Sequence, residues 1–163
     1  MGEEPFKIII NSNLIMNVRQ ATITDFDKIY QLGERTPEFR VSDSEPFIDK
    51  EDLELRITGG EDLILLAEEE NEIRGFALWG LKDKDRPLKN RSACFTYLVV
   101  DQNYRNRGIA TRLYDQGLVL LRERGITHIY AWANAESDGS MIKFLKDREF
   151  DQGHKYVWME RRI

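Results

Sequence analysis

Two arginines and a glycine stand where an apolar run meets a helix. "CFTYLVV" (94–100) is followed by "DQNYRNRG" and then by "IATRLYDQGLVLLRE". Arg105 and Arg107 supply positive charge, and Gly108 has no side chain to keep a ligand away from the backbone. The first amides of a helix lack intrahelical acceptors, and that end of the helix is partially positive. The amides of residues 106–110 could therefore wrap a pyrophosphate without a metal. The same residues also make an ordinary charged turn entering a surface helix. They do not form the GxxxxGK[ST] loop that cradles nucleotide phosphates, nor the glycine pattern of a dinucleotide-binding fold.

Other chemistries find less support. His128, His154 and the single Cys94 lack metal-ligand spacing, so no metal site is expected. Cys94 cannot form an internal disulfide and lacks the local signature of a covalent nucleophile; it reads as a buried structural residue in a reducing, cytoplasmic protein. A formal net charge of -5 and the lack of a long basic-aromatic run argue against nucleic-acid binding. No apolar run is long enough to cross a membrane, and the N-terminus is a poor secretion signal.

The elements that must position the arginine-glycine joint follow from periodicity. With 163 residues, 41% of them hydrophobic, the chain suits one domain with a real core. A short extended segment in "NVRQATITDFDKIYQLGERT" leads to a helix capped by Thr24 or Asp25, with Phe26, Ile29, Tyr30 and Gly33 near one face. A second helix lies in "FIDKEDLELRIT", with Leu53, Ile57 and Phe47 or Ile48 on its apolar side, and "GG" at 59–60 stops it. Strands at about 63–68 and 72–82 form a hairpin around polar "EENE". After a charged loop, "DKDRPLKNRS", comes the strand at about 93–100. The helix from Gly108 to Arg124 places Ile109, Leu113, Leu120 and Leu121 on a buried face, with Val119 at its flank and Gly125 as its cap. "ITHIYAWAN" reads as a central strand, residues 140–148 as a helix and "HKYVWMERR" as a final strand. The fold class is therefore mixed α/β: one mixed, mostly antiparallel sheet flanked by helices. Residues 1–16 form an N-terminal extension in which "FKIII" could add an edge strand, and residues 17–163 form the domain.

The run "YLVVDQNYRNRGIATRLYDQGLVLLRERGI" resembles the cofactor motif of the GCN5-related N-acetyltransferase family, Arg/Gln-x-x-Gly-x-Gly/Ala. Here that element is Arg105-Asn106-Arg107-Gly108-Ile109-Ala110. "SMIKFLKDREF" resembles the family's second helix with its aromatic ending, Phe150, and "NVRQATITDFDKIYQL" its first strand and helix. The resemblance implies an acyl-CoA N-acyltransferase-like fold and acetyl-CoA, or another acyl-CoA, as cosubstrate. Arg105 to Ala110 would hold its pyrophosphate. Leu98, Val99 and Val100 would line the cleft where the strands splay, and Asn134 matches a position that contacts the cofactor arm. Asn134 would equally serve as a strand-ending cap.

The implied reaction is direct acyl transfer from the thioester to an amine. A backbone amide near Val99 would stabilise the developing oxyanion, and positioning would supply much of the rate. The family's acidic residue is absent from "CFTYLVV", which leaves Glu68, Glu69 or Glu70 to act as base, with Glu68 the candidate chosen. The family's tyrosine, donor of a proton to the thiolate, is replaced by Leu145, and its usual glycine before the terminal aromatic by Glu149. Tyr130, Ser140, Tyr97 and Tyr156 are replacement hydroxyls, Tyr130 and Ser140 being chosen. In structural terms Tyr130 would be a core aromatic beside Trp132, and Ser140 a helix cap. The acceptor is an amine-bearing small molecule or peptide, met by the acids, aromatics and Arg40 of "TPEFRVSDSEPFIDKEDLE". Dimerisation could cover a sheet edge. The competing reading is a non-catalytic acyl-CoA-binding or regulatory module of the same architecture.

Overall fold

The computed structural model describes residues 7–9, 15–39, 47–81 and 91–155, with 157, 159, 161 and 163. Six strands form one sheet in chain order: β1 (Lys7–Ile9), β2 (Ile15–Gln20), β3 (Leu63–Glu69), β4 (Glu72–Gly80), β5 (Ser92–Val100) and β6 (His128–Ala131). β1 to β5 pair antiparallel, and β6 runs parallel to β5. The helices are α1 (Phe26–Glu34), α2 (Lys50–Thr58), α3 (Ile109–Glu123) and α4 (Ser140–Lys146). This is the mixed, mostly antiparallel sheet with flanking helices that the patterning predicts.

β3 and β4 are nearly continuous apolar runs because both faces of the sheet are covered. Leu63, Leu65, Ala67, Ala77, Trp79 and Phe95 join α3 and α4 in one core. Ile64, Leu66, Phe76, Leu78 and Val99 join α1 and α2 in the other. The hairpin turn is tighter than "EENE" suggests. Glu69 still pairs with Glu72, and only Glu70 and Asn71 turn, with φ of 54° and 63°. Two left-handed residues match the twist of a two-residue hairpin.

α3 buries Ile109, Leu113, Tyr114, Gly117 and Leu121, one face at helical spacing. Each large aliphatic side chain buried there contributes about 1.5–3 kcal/mol. Tyr114 and Gly117 complete this face, whereas Leu120 is half-buried and Val119 exposed. α3 can settle close to the sheet because of Gly75: a Cβ at that position would lie 2.7 Å from the Val99 carbonyl oxygen and 3.1 Å from the Ile109 side chain.

Three expectations change. β6 is shorter than "ITHIYAWAN" and, among the described residues, lies at the sheet edge rather than its centre. Tyr130 and Trp132 are not core residues: 40% and 66% of their surface is exposed, while Ile129 and Ala131 face the core. In the expected final strand, His154, Lys155, Val157, Met159 and Arg161 have no regular structure. The rest of that run, including Tyr156, lies outside the described residues, as do most of the charged loop and residues 40–46 with Arg40.

Candidate functional site: a strand splay beside an arginine-glycine turn

β5 and β6 are paired from Ser92–His128 to Phe95–Ala131 and then part. The parting coincides with a bulge. Leu78 pairs with Tyr97 and Trp79 with Phe95, so Thr96 is an extra residue on β5. A bulge bends its strand and strengthens the local twist, which carries Tyr97 to Val100 away from the line of β6. β6 ends at Ala131, and residues Trp132 to Asn134 are not strand.

The side chains of Leu98 and Val100 pack toward α3, and that of Val99 toward α1 and α2. Their backbone groups alternate also. The Val99 carbonyl faces Gly75 of β4, and the Asp101 amide donates to the Arg74 carbonyl of β4 at 2.9 Å. Leu98 and Val100 therefore present their peptide groups to the gap. The amides beside Val99 that face the gap are those of Leu98 and Val100.

Beyond Val100, Asp101 opens a helical turn at Gln102–Tyr104 by accepting the Asn103 amide at 3.0 Å. Asn106 and Gly108 are both left-handed, with φ of 62° and 77°. Left-handed residues alternating with Arg105 and Arg107 curl successive amides into a concave nest suited to an anion. Among the described residues, the amides from Asn106 to Thr111 make no well-formed hydrogen bond to a protein acceptor. A Cβ on Gly108 would meet no atom of the described residues within 4 Å, so among them the space in front of the nest is open.

Cationic side chains surround the nest. The guanidinium groups of Arg74 and Arg107 lie 4.2 and 4.7 Å from the centre of the Tyr104 ring. Arg148, just beyond α4, donates to the Thr111 hydroxyl at 2.8 Å. Buried Nη1 of Arg112 and Nε of Arg148 have no partner among the described residues. Arg105 turns the other way: its Nε donates to the Val100 carbonyl at 3.2 Å and its Nη1 to Glu38 at 2.8 Å.

Glu38 lies in a short helical turn, Pro37–Phe39, that follows α1. The Arg105 hydrogen bond holds its carboxyl below the usual carboxylate range, and the charge of Asp138 works in the opposite direction. Asp138, in the loop leading to α4, accepts the Ser140 amide at 2.9 Å. That bond, the Ser140 hydroxyl and Arg105 keep Asp138 ionised. Three segments thus place Glu38, Arg105 and Asp138 around one mouth. Sequence reasoning missed Glu38 and Asp138 as individuals; only the acidic stretch containing Glu38 was a signal, since pairing across 67 residues leaves no periodic trace.

The expected catalytic side chains are not gathered there. Glu68 is on β3, separated from β5 by β4, and accepts from Arg19 Nε at 2.8 Å. Tyr130 is level with Cys94, just short of the parting. Ser140 is the first residue of α4, and the cap position belongs to Gly139. Asn134 accepts the Glu136 amide at 2.8 Å, a turn-capping contact. Leu145 is buried in the α3–α4 core. Beside it, Tyr114 packs against Phe144 and Phe150, and burial raises its phenol pKa, keeping it protonated. Glu149 adopts φ 64°, the conformation a glycine would hold, and the Phe150 amide closes the turn on the Leu145 carbonyl at 3.2 Å. Cys94 is half-buried, and the described residues contain no cluster that could hold a metal. No helix among them is long and apolar enough to cross a membrane.

Known proteins resemble this chain in sequence and fold. Acetyltransferase SG1711 of Sodalis glossinidius is 28% identical over 149 residues, covering 91% of this chain and 96% of that one. An aminoglycoside acetyltransferase from an uncultured soil metagenomic sample, solved with sisomicin, superposes with a TM-score of 0.71 at 17% identity; the match covers 91% of this chain and 96% of that one. Aminoglycoside N-acetyltransferase AAC(6')-Iy, solved with CoA, superposes with a TM-score of 0.68 at 16% identity over 90% of this chain and 99% of that one. These two likenesses establish the fold. The model of the acetyltransferase (GNAT) family matches residues 26–150, from the start of α1 to the aromatic after α4. The chain is an acyltransferase belonging to the acetyltransferase (GNAT) family.

Proposed function

We propose that this enzyme transfers an acetyl group from acetyl-CoA directly to an amine. The reading is carried by the row of unaccepted amides from Asn106 to Thr111, which faces open space at Gly108 beside the gap between β5 and β6. Those amides and the α3 N-terminus suit the two charges of a pyrophosphate. From there the pantetheine arm follows the gap and pairs with the peptide groups of Leu98 and Val100. The side chains of Leu98, Val99 and Val100 fix the wall of the gap, and Asn134 closes its far side. CoA bound to a structural relative supports this choice of donor.

In the proposed reaction the neutral amine attacks the thioester carbonyl. The Leu98 amide donates a hydrogen bond to the oxygen on which negative charge develops, and the C–S bond then breaks with the electron pair leaving on sulfur. Tyr130 or Ser140 is the hydroxyl proposed to protonate the thiolate, and the proton that the attacking nitrogen sheds passes through water to restore that hydroxyl; Leu145 cannot take this part. Glu68 is not retained as the base, because Arg19 occupies it.

The acceptor is an amine-bearing molecule. Glu38 and Asp138 at the mouth favour a cationic one, in keeping with sisomicin on a structural relative. Acetyl-CoA offered with aminoglycosides, polyamines, amino acids and peptides tests the function through acceptor-dependent release of CoA thiol. Release with a cationic amine is expected. Binding of acetyl-CoA without transfer to any amine would instead favour the non-catalytic module, and no binding would remove the donor assignment.

A further inference from the structure

Arg105 stands one residue before the nest, yet its guanidinium is engaged elsewhere. It spans the Val100 carbonyl at the end of β5 and the Glu38 carboxylate beyond α1. The first contact covers a peptide oxygen that faces the gap. The second ties the segment between α1 and α2 to the turn between β5 and α3. The Arg105 and Glu38 side chains are 38% and 41% exposed, so solvent screens their attraction and the pair is easily exchanged. A pyrophosphate beside Arg105 offers two charges where Glu38 offers one.

We propose that donor and acceptor share Arg105: without donor it occupies Glu38, and the pyrophosphate of the acyl-CoA draws it away, handing Glu38 to the ammonium group of a cationic acceptor. Acceptor binding then strengthens once the donor is in place, and Glu38 is a specificity residue for positively charged amines. The proposal rests on the donor reading given above. The guanidinium on Glu38 is itself a cation seated at 2.8 Å, which shows that the carboxylate is placed to receive one. Glu38 is ionised at neutral pH, since Arg105 holds it below the usual carboxylate range. Asp138 faces the same charges from the loop before α4, anchored by the Ser140 amide, and so bounds the mouth on its other side.

The test is calorimetry with CoA and, as a cationic probe, spermine, on the wild type, Glu38→Gln, Arg105→Gln and the double variant. Glu38→Gln should bind CoA about two- to fivefold tighter by freeing Arg105, and the same change in the Arg105→Gln background should do nothing. Saturating CoA should raise spermine affinity for the wild type by a similar factor but not for Glu38→Gln. Unchanged or weaker CoA binding by Glu38→Gln, or equal tightening in both backgrounds, would overturn the exchange. No gain in spermine affinity with CoA, or the same gain in Glu38→Gln, would overturn the acceptor role of Glu38. Failure of CoA to bind the wild type is a separate result that removes the donor reading and this exchange with it.

Discussion

Phe95 and Ala131 form the last rung between β5 and β6, and the next residue along β5, Thr96, is the bulge that parts the strands. The parting coincides with the change of register between β4 and β5. Below the rung, Phe95 stacks on Trp79 with ring centres 4.9 Å apart, which fixes the base of the gap to β4. The Asn106–Gly108 turn then lies at the open end, held by the Asp101 amide on the Arg74 carbonyl.

Glu68 should be dispensable for chemistry. Its carboxylate pairs with Arg19 at 2.8 Å on a strand that does not border the gap. Glu68→Gln should change turnover by less than about twofold and lower stability by about 0.5–1.5 kcal/mol. Steady-state kinetics beside urea unfolding would separate the effects, and a large fall in kcat with stability intact would return Glu68 to the site.

Acid should weaken the fold through Asp25. Arg19 holds this buried carboxyl at about 2, from an ordinary value of 3.8, chiefly by its hydrogen bond, with Thr22 adding more. The folded pKa is the lower, so between pH 4 and 2 the unfolded chain binds more protons than the folded one. The stabilisation is complete above pH 4 and is lost as pH falls toward 2, by about 1–2 kcal/mol. Chemical denaturation from pH 6 to pH 2 would show it, and Asp25→Asn should flatten that part of the profile.

Glu149 should be improvable. At φ 64° it holds a conformation that costs a side-chain-bearing residue about 1–2 kcal/mol. Glycine removes that strain and loses more freedom on folding, so Glu149→Gly should gain about 0.5–1 kcal/mol net. A rise of a few degrees in Tm is expected, and a fall would mean that the glutamate side chain stabilises the turn.

The sequence made the sheet, its helices and the Arg105–Ala110 turn legible because each has a local signature: apolar runs for β3 and β4, helical spacing in α3, a glycine where φ is 77°. The misreadings share one physical cause. Whether "ITHIYAWAN" remains strand depends on where β5 bends, and the bulge at Thr96 arises from pairing with β4 rather than from its own neighbours. Glu68 has the residue type of a base, but Arg19 reaches it only once β2 and β3 pair. Glu38 and Asp138 acquire meaning only when three distant segments meet at Arg105. Even the absent glycine at 149 left no gap in the fold, because Glu149 adopts the glycine conformation.

The central claim is that the nest at Asn106–Gly108 holds the donor's pyrophosphate. Its most direct test is acetyl-CoA binding by calorimetry to the wild type and Gly108→Glu, with acetyl-pantetheine, which lacks the pyrophosphate, as the control donor in turnover. A Cβ at Gly108 meets no atom of the described residues within 4 Å, so the substitution should leave the variant folded, at a cost of about 1–2 kcal/mol for its left-handed φ. It should also place a carboxylate against the phosphates. Acetyl-CoA affinity should fall by about tenfold or more, while turnover of acetyl-pantetheine changes little. A folded Gly108→Glu variant that binds acetyl-CoA as the wild type does would contradict the account.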